Sequence, residues 1–550
     1  MPVLGAIEIE VLRSALTAVA AEMDVTIWRT SRSTIVRELL DYSTAVFDPD
    51  GDNLAQSARI PMHLNSMGAG LRELIARFVP IETWEPGDVV VTNDPYCGGQ
   101  HLPDILAFRA VFESGRRVGI VGTLCHHIDM GGAAAGSYGA SATEIFQEGL
   151  RIPPTKLVRR GELNRDVWNL VLQNVRKPDL VAGDLDAQVA SLGVGEASLR
   201  RLAGKYGIDA FLDAGRRILD LSEAAMRDAI RRMPDGVYAF EDHVDDDGLS
   251  DAPVRVAAKV EVAGDEIRVD LAGSSPQVAG PINATPAMAS CAVYYAVIAC
   301  AGGDIPANAG CYRPITTRVP PGTVVSAAHP APVAHRICSV HRLANAVMGA
   351  LAQAVPERVP AAYYGVSYVL TFQTVAADGA RKVLVEIEIG GAGGHPEQDG
   401  ANAYASGMHN NANIPVEMIE SDLPLTLTGY GLLPDSGGDG LHRGGLGLWR
   451  EWRIDAPAAA FTCNLDRFKF APYGLAGGGP GSLGRLTLIR DGARTALGSK
   501  VTNLPLRACD VVRLKTSGGG GWGPPSARDA GARARDLALG YVAGPPARPA

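Results

Sequence analysis

The sequence predicts an α+β fold of several layers, β-rich in its N- and C-terminal parts and helical in the middle. Three observations predict it. Strand-like runs and helical patterns come in separate blocks, without the regular βαβ alternation of a doubly wound sheet. Gly (64) and Pro (36) make up 100 of 550 residues, which suits an ordered chain with many tight turns and falls short of the share that marks disorder. No period of about 20–50 residues repeats, which leaves solenoids and propellers unsupported. With 46% hydrophobic residues the chain can bury large cores, and with only 6% aromatics those cores must be mostly Val, Ile, Leu and Ala.

Each element follows from local pattern. Ile7, Val11, Ala15, Val19 and Met23 recur at four-residue spacing and predict an amphipathic helix over about 5–30. Residues 43–57 read as a hairpin with Asp48-Pro49-Asp50-Gly51 as its turn. A helix follows from Leu64 to Phe78, then short strands at 88–93, 105–112 and 118–125. Between about 164 and 232 the pattern is strongly helical, and from about 236 to 275 it returns to strands and Asp/Gly turns. Residues 290–301 and 341–355 predict buried helices. Two strands, the second at 382–389, form a hairpin about an Ala-Asp-Gly turn, and Gly-rich short strands continue to about 525. The resulting divisions are 1–160, 161–235, 236–525 and a tail, 526–550, expected to be a frayed helix and disorder.

Composition narrows the function. Fifty-one basic and sixty acidic residues give a net charge of −9, and the basic residues are dispersed, so nucleic acid is not an expected partner. Eight cysteines without a CxxC pair suggest neither a zinc ribbon nor a disulfide framework, and reduced thiols in a cytosolic protein are the economical reading. Glu8 and Glu10 interrupt the first apolar run, unlike a secretory signal, and no run of about 18 apolar residues exists. The expectation is a soluble, cytoplasmic protein without a membrane partner.

The densest polar concentration lies between 93 and 132. It opens as NDPYCGGQHLPD (93–104) and, after one predicted hairpin, resumes as CHHIDMGG (125–132). His101 and Asp104 lie three apart in a turn built by glycines and a proline, so both side chains can converge. His126 stands where a strand ends, on a rigid element. Two imidazoles and a carboxylate make a three-ligand set with open positions, suited to Zn, Mn or Fe(II). Asp41, in LLDYS, could add a fourth oxygen. The alternative makes His101 and His126 turn and core residues bonded to backbone, and spacing does not separate the two readings. Adjacent residues on an extended chain face opposite ways, so only one of His126 and His127 faces the site. His127, Asp129 and Glu144 are the remaining catalytic or ligand-orienting candidates, and an ordinary turn or capping role fits each equally.

Other signals fail. No GxxxxGK[ST] cradle exists for phosphate. GGAGGH (390–395) precedes no helix, SGGGGWGPP (517–525) reads as a tight turn, and no GxSxG elbow occurs.

NDPYCGGQHLPDI, HHIDMGG and GSYGASATEIFQEGLRIPPTKL (136–157) resemble the B-type subunit of the hydantoinase/5-oxoprolinase family. The likeness continues through 174–188, 273–285, 313–325, 434–447, 466–478 and the glycine run, and so covers about residues 5 to 525. The resemblance implies a divalent metal on His101, Asp104 and His126, with Asp41 completing the set in some members. It also implies an A-type partner, separate or fused, with an actin-like ATPase fold. That partner uses Mg-ATP to phosphorylate an amide or enol oxygen of a small-molecule substrate, which accounts for the missing phosphate loop. The implied assembly is a hetero-oligomer.

Three functions follow from the resemblance. The first is an ATP-dependent cyclic amidase acting on a hydantoin, oxoproline or lactam ring, in which the metal activates water for attack on the phosphorylated amide. The second is a ketone carboxylase of the acetone/acetophenone type, whose members are longer than this chain. The third is a non-catalytic assembly protein, against which an intact ligand set argues.

Overall fold

The computed structural model describes residues 4–375, 379 and 381–543. Helices α1 (Ala6–Thr30) and α2 (Thr34–Arg37) precede the hairpin of β1 (Tyr42–Phe47) and β2 (Asn53–Gln56). Helix α3 (Pro61–Arg77) leads to β3 (Val89–Thr92), β4 (Asp104–Glu113), β5 (Arg116–His126), β6 (Thr155–Arg159) and β7 (Glu162–Leu163). These seven strands form one sheet, in the order β2-β1-β5-β4-β3-β6-β7, with every neighbouring pair antiparallel.

Both faces of that sheet are covered, which is why its strands read as near-continuous apolar runs. On β4, Leu106, Phe108 and Ala110 pack with Met67, Leu71 and Leu74 of α3 and with Trp84. The alternate residues Ile105, Ala107 and Val111 belong to the main core. That second face is covered by the long helical stretch: α4 (Arg165–Gln173), α5 (Pro178–Tyr206) and α6 (Ile208–Ile230), with α5 lying on β4, β5 and α1. The helical middle therefore packs as a layer on the first sheet.

On α1, the observed buried face is Ile9, Leu12, Leu16, Val19, Ala20, Met23 and Ile27. Ile7 is 82% exposed and Val11 51%. The four-residue stripe was the wrong one at its N-terminal end. At 3.6 residues per turn a four-residue step drifts around the helix, and the mixed three- and four-residue spacing holds the face.

A second sheet orders β11-β10-β9-β8: β8 (Gly236–Val244), β9 (Val254–Ala263), β10 (Glu266–Asp270) and, after helices α7 (Pro286–Ala301) and α8 (Ala309–Tyr312), β11 (Ile315–Arg318). The buried helix α9 (Arg336–Leu351) packs against α7, β8 and β9. Strands β12 (Tyr368–Val375) and β13 (Arg381–Glu388) pair antiparallel as expected, and the turn between them lies largely outside the described residues. After α10 (Val416–Asp422) come β14 (Leu425–Leu432), β15 (Leu448–Ile454), β16 (Ala458–Asn464), β17 (Arg485–Arg490), β18 (Ala493–Leu497), β19 (Lys500–Arg507) and β20 (Val511–Lys515). They complete a sheet ordered β13-β12-β16-β19 and another ordered β14-β15-β20-β17-β18. All eight cysteines are free, and seven are buried. Among the described residues no helix is long and apolar enough to cross a membrane.

Two expectations change. Residues 517–523 do not make a tight turn. They run as an extended spine, bonded from Gly519 N to Gly445 O (2.9 Å), Gly520 N to Ala362 O (2.8 Å) and Gly521 N to Gly479 O (2.8 Å). Gly391 N and Gly394 N donate back to Ser517 O and Gly520 O, so GGAGGH is one of the flanking segments. A Cβ at Gly391, Gly444, Gly518, Gly519 or Gly520 would lie under 3.0 Å from a neighbouring carbonyl oxygen. Only residues without a Cβ allow backbones to approach this closely. The tail is also ordered further than expected. Helix α11 (Ala530–Ala538) is tied down by Arg528, which bonds Asp399 (2.6 and 2.8 Å) and the buried Asp536 (2.7 Å). The rest of that tail, 544–550, lies outside the described residues.

Gly519→Ala is therefore expected to cost about 3 kcal/mol or more through overpacking. Gly204→Ala, on an open face of α5, should instead be neutral or stabilising by up to about 1 kcal/mol. Thermal midpoints of the two variants check this, and equal midpoints would contradict the spine's role.

Candidate metal centre

Strand register builds the site. Asp104, the first residue of β4, pairs directly with His126, the last residue of β5. On the other side of β5, His126 N donates to Asp41 O at 3.0 Å, just before β1 begins. Asp41 has the parity of Ala45 and Phe47, and Asp104 and His126 have the parity of Phe108 and Leu124, all residues of the α3-covered face. Three neighbouring strands thus present Asp41, His126 and Asp104 as a row at one end of one face.

The loop from 93 to 103 returns His101 to that row. Asn93 fastens it, donating from Nδ2 to Leu102 O (2.7 Å) and Leu150 O (3.0 Å) and accepting from Ile152 N (2.7 Å). Gly98 has φ +89°, and a Cβ there would strike the backbone of Gly70 on α3. His101 Nε2 then lies 3.1 Å from Asp104 Oδ2, and its ring centroid 4.9 Å from that of His126. Ligand atoms of His101, Asp104 and His126 all lie within 4.8 Å of one another. Asp41 lines the same cavity but stands outside this tight group.

The surroundings are buried and polar. His63, from the first turn of α3, places Nε2 3.4 Å from Asp41 Oδ1 and 4.0 Å from Asp104 Oδ1, with Nδ1 3.4 Å from Ser43 Oγ. Tyr138 OH is 2.8 Å from His126 Nε2. Arg336, at the start of α9, donates from Nη2 to Asp104 Oδ2 and to Gln100 Oε1, each at 2.9 Å. Asp104 Oδ1 has no hydrogen-bond partner among the described residues. Met408, His409 and Asn411 also line the cavity, which has a volume of about 30 Å³. That is space for about one water molecule.

Burial lowers the imidazoles of His63 and His126 to about 3 and that of His101 well below its usual range. Neutral imidazole is the metal-binding form. Burial, reinforced by the nearby Asp104, raises the Asp41 carboxyl well above its usual range. Two imidazoles and an orphaned carboxylate oxygen fit a divalent cation of the Zn, Mn or Fe(II) kind.

The profile described as Hydantoinase B/oxoprolinase matches residues 5–525. The chain belongs to that family. A protein of Pseudomonas sp. (strain NS671), provisionally assigned as the B component of a D-/L-hydantoinase, is 34% identical, with 98% of this chain and 93% of the relative covered. The beta chain of the Pseudomonas jessenii caprolactamase is 35% identical over 81% of this chain and 78% of its own length. The crystal structure of the ATP-dependent caprolactamase from that organism matches with a TM-score of 0.92 at 30% identity, covering 98% of this chain and 95% of that one. A nucleotide-free acetone carboxylase structure shares the fold, with a TM-score of 0.90 at 20% identity, covering 98% and 78%.

Within this family member, not every candidate reaches the cavity. His127 points to the opposite face of the sheet, where Nε2 meets Gln188 Oε1 of α5 at 3.1 Å. Asp129 organises a loop, accepting from Gly131 N, Gly136 N and Arg176 N at 2.9 Å each. Glu144 is exposed at the start of a helical turn. None of the three lines the cavity, because alternation and loop geometry turn them away. Sequence reasoning missed His63, Tyr138, Arg336 and His409. Tyr138 lay within the motif at 136–157, and His63 immediately preceded the predicted helix start at Leu64. Arg336 and His409 come from distant segments and carried no local signal.

Proton linkage gives a test. His63 and His126 are neutral when folded and take up protons in the unfolded chain between pH 6.5 and about 3. The unfolded state binds more protons in that window, so these groups lower stability as pH falls through it. Asp41, with its raised value, acts in the opposite direction. Metal-free His63→Gln should therefore lose thermal midpoint less steeply than metal-free wild type between pH 6.5 and 4. An unchanged slope would contradict the burial of His63 as a neutral group.

Proposed function

We propose that this chain is the metal-binding B-type component of an ATP-dependent cyclic amidase, acting on a ring amide that a partner ATPase activates by phosphorylation. The observation that carries the reading is the convergence of His101, Asp104 and His126 in a chain whose relatives include a caprolactamase beta chain and a provisional hydantoinase B component. Their names as components of larger enzymes support a separate A-type partner, and hence a hetero-oligomer.

A ring amide is a poor electrophile, and O-phosphorylation makes its carbon a good one. Water adds to that carbon, the ring C–N bond breaks, and the resulting acyl phosphate hydrolyses to carboxylate and phosphate. A divalent cation on His101, Asp104 and His126, with Asp41 beside them, would supply Lewis acidity and activate water. The chain's own residues do the rest. His63 and Tyr138 offer hydrogen-bonding groups beside the row of ligands, and Met408, His409 and Asn411 line the same cavity.

Purified protein should carry about one divalent transition metal per chain. His101→Ala and His126→Ala should lose it, whereas His127→Ala should keep it. Elemental analysis checks all three, and metal retained in His101→Ala would remove the proposed centre.

The reaction is tested in the complex reconstituted with its ATPase partner, on a panel of hydantoins, lactams and ketones. Oxygen from H₂¹⁸O should enter the ring-opened carboxylate or the released phosphate. Incorporation of ¹³C-bicarbonate into a carbon–carbon bonded product would instead identify a carboxylase.

A further inference from the structure

Helix α1 carries apolar residues on two opposite faces, and only one of them is covered. Ile9, Leu12, Leu16, Val19, Met23 and Ile27 are buried, with α5 and β1 packed against the helix. On the other side Ile7, Val11, Ser14, Ala18, Ala21, Val25 and Trp28 are all exposed. Their spacing alternates strictly between four and three residues, so they stand in one row along the helix. At 1.5 Å per residue the row is about 32 Å long.

The row accounts for apolar side chains that the core does not use. Ile7 and Val11 are 82% and 51% exposed, and Val25 and Trp28 are 46% and 47% exposed. Trp28 has no hydrogen-bond or ring partner among the described residues. Large apolar side chains scattered singly over a surface need no explanation, but four aligned on one helix face mark a contact surface.

The order of the row identifies its occupant. From Ile7 to Trp28 it reads large, large, small, small, small, large, large, and it reads the same in reverse. Its centre is Ala18. A two-fold axis beside Ala18 would lay an antiparallel copy on the row, small residues against small at the crossing. Ile7 and Val11 of each chain would then meet Val25 and Trp28 of the other. Small residues at the crossing let two helices approach closely. A patch that complements itself is what an isologous dimer requires, whereas an unrelated partner imposes no such symmetry.

Charge agrees with the antiparallel arrangement. Glu8 flanks the row near its N-terminal end and Arg29 near its C-terminal end, and both are exposed. Arg29 has no ion pair or side-chain hydrogen bond among the described residues. Antiparallel copies bring Glu8 of each chain towards Arg29 of the other, whereas parallel copies would set like charges together.

We propose that the outward face of α1 is the interface through which two copies of this chain pair about a two-fold axis beside Ala18. The inference is independent of the reaction performed at the metal centre.

Sedimentation of the full-length protein tests it. One helix face lies at the small end of stable interfaces, so a dimer should form within about 1–100 μM. Ala18→Glu, which sets a carboxylate against its own copy, should leave only monomer with an unchanged circular dichroism spectrum. Arg29→Glu should weaken pairing about tenfold, and adding Glu8→Arg to it should restore the pairing. Should Ala18→Glu lose helical signal, the charge-reversal pair decides. Wild type that stays monomeric throughout that range overturns the proposal, as does a dimer indifferent to Ala18→Glu. A double charge reversal that pairs no better than Arg29→Glu alone overturns the antiparallel arrangement and the proposal with it. Self-association untouched by Ala18→Glu, with binding of the ATPase partner abolished, would also overturn it and assign the face to that partner.

Discussion

The register of three adjacent antiparallel strands is the constraint on which the site depends. Because Asp104 faces His126 across β4 and β5, and His126 is bonded to the backbone of Asp41 before β1, three ligand-type residues share one row without any loop having to place them. A slip of one residue between β4 and β5 would send Asp104 to the α5 side and break the row. The sheet is covered on both faces, by α3 on one and by α1 and α5 on the other, so such a slip would also misplace every apolar side chain of the strand. Packing of the core and geometry of the centre are thus enforced by the same register.

A second constraint comes from the C-terminal half. Segments around 361–364, 390–394, 436–447 and 474–481 are bonded around the glycine spine at separations that exclude a Cβ. One wall of the candidate metal centre grows from this layer. Tyr404 N bonds Gly390 O, and Ala403 N bonds Leu446 O, before the chain reaches Met408 and Asn411 over the cavity. His409 is held there by stacking on His341 of α9 at 4.2 Å and by Ser367 Oγ at 3.1 Å. A densely bonded layer therefore holds one end of the segment that lines the cavity at Met408, His409 and Asn411.

The interior of the site is an electrostatic compromise. Burial lowers its imidazoles and raises its second carboxyl, and one guanidinium stands against the carboxylate of Asp104. Buried charges persist only when paired or ligated. That requirement accounts for the pairing of Arg336 with Asp104 at 2.9 Å.

The sequence by itself determined the α+β class, nearly every helix and strand of the N-terminal half, the His101–Asp104–His126 set and the opposite facing of His126 and His127. These are local matters: periodicity, a three-residue turn and strand alternation act within a few residues. It misassigned the N-terminal end of the α1 stripe, because a strict four-residue spacing drifts off the 3.6-residue turn. It read the glycine run as a turn, because nothing within SGGGGWGPP reveals the four segments packed around it. Only the tertiary structure decided that His63, Tyr138, Arg336 and His409 join the centre and that Asp129 and Glu144 do not. Arg336 lies more than 230 residues from Asp104 along the chain, and their 2.9 Å contact exists only because α9 packs its N-terminus against the end of the first sheet. Long-range packing of that kind has no period and no local spacing, so it leaves no mark on the sequence near either residue.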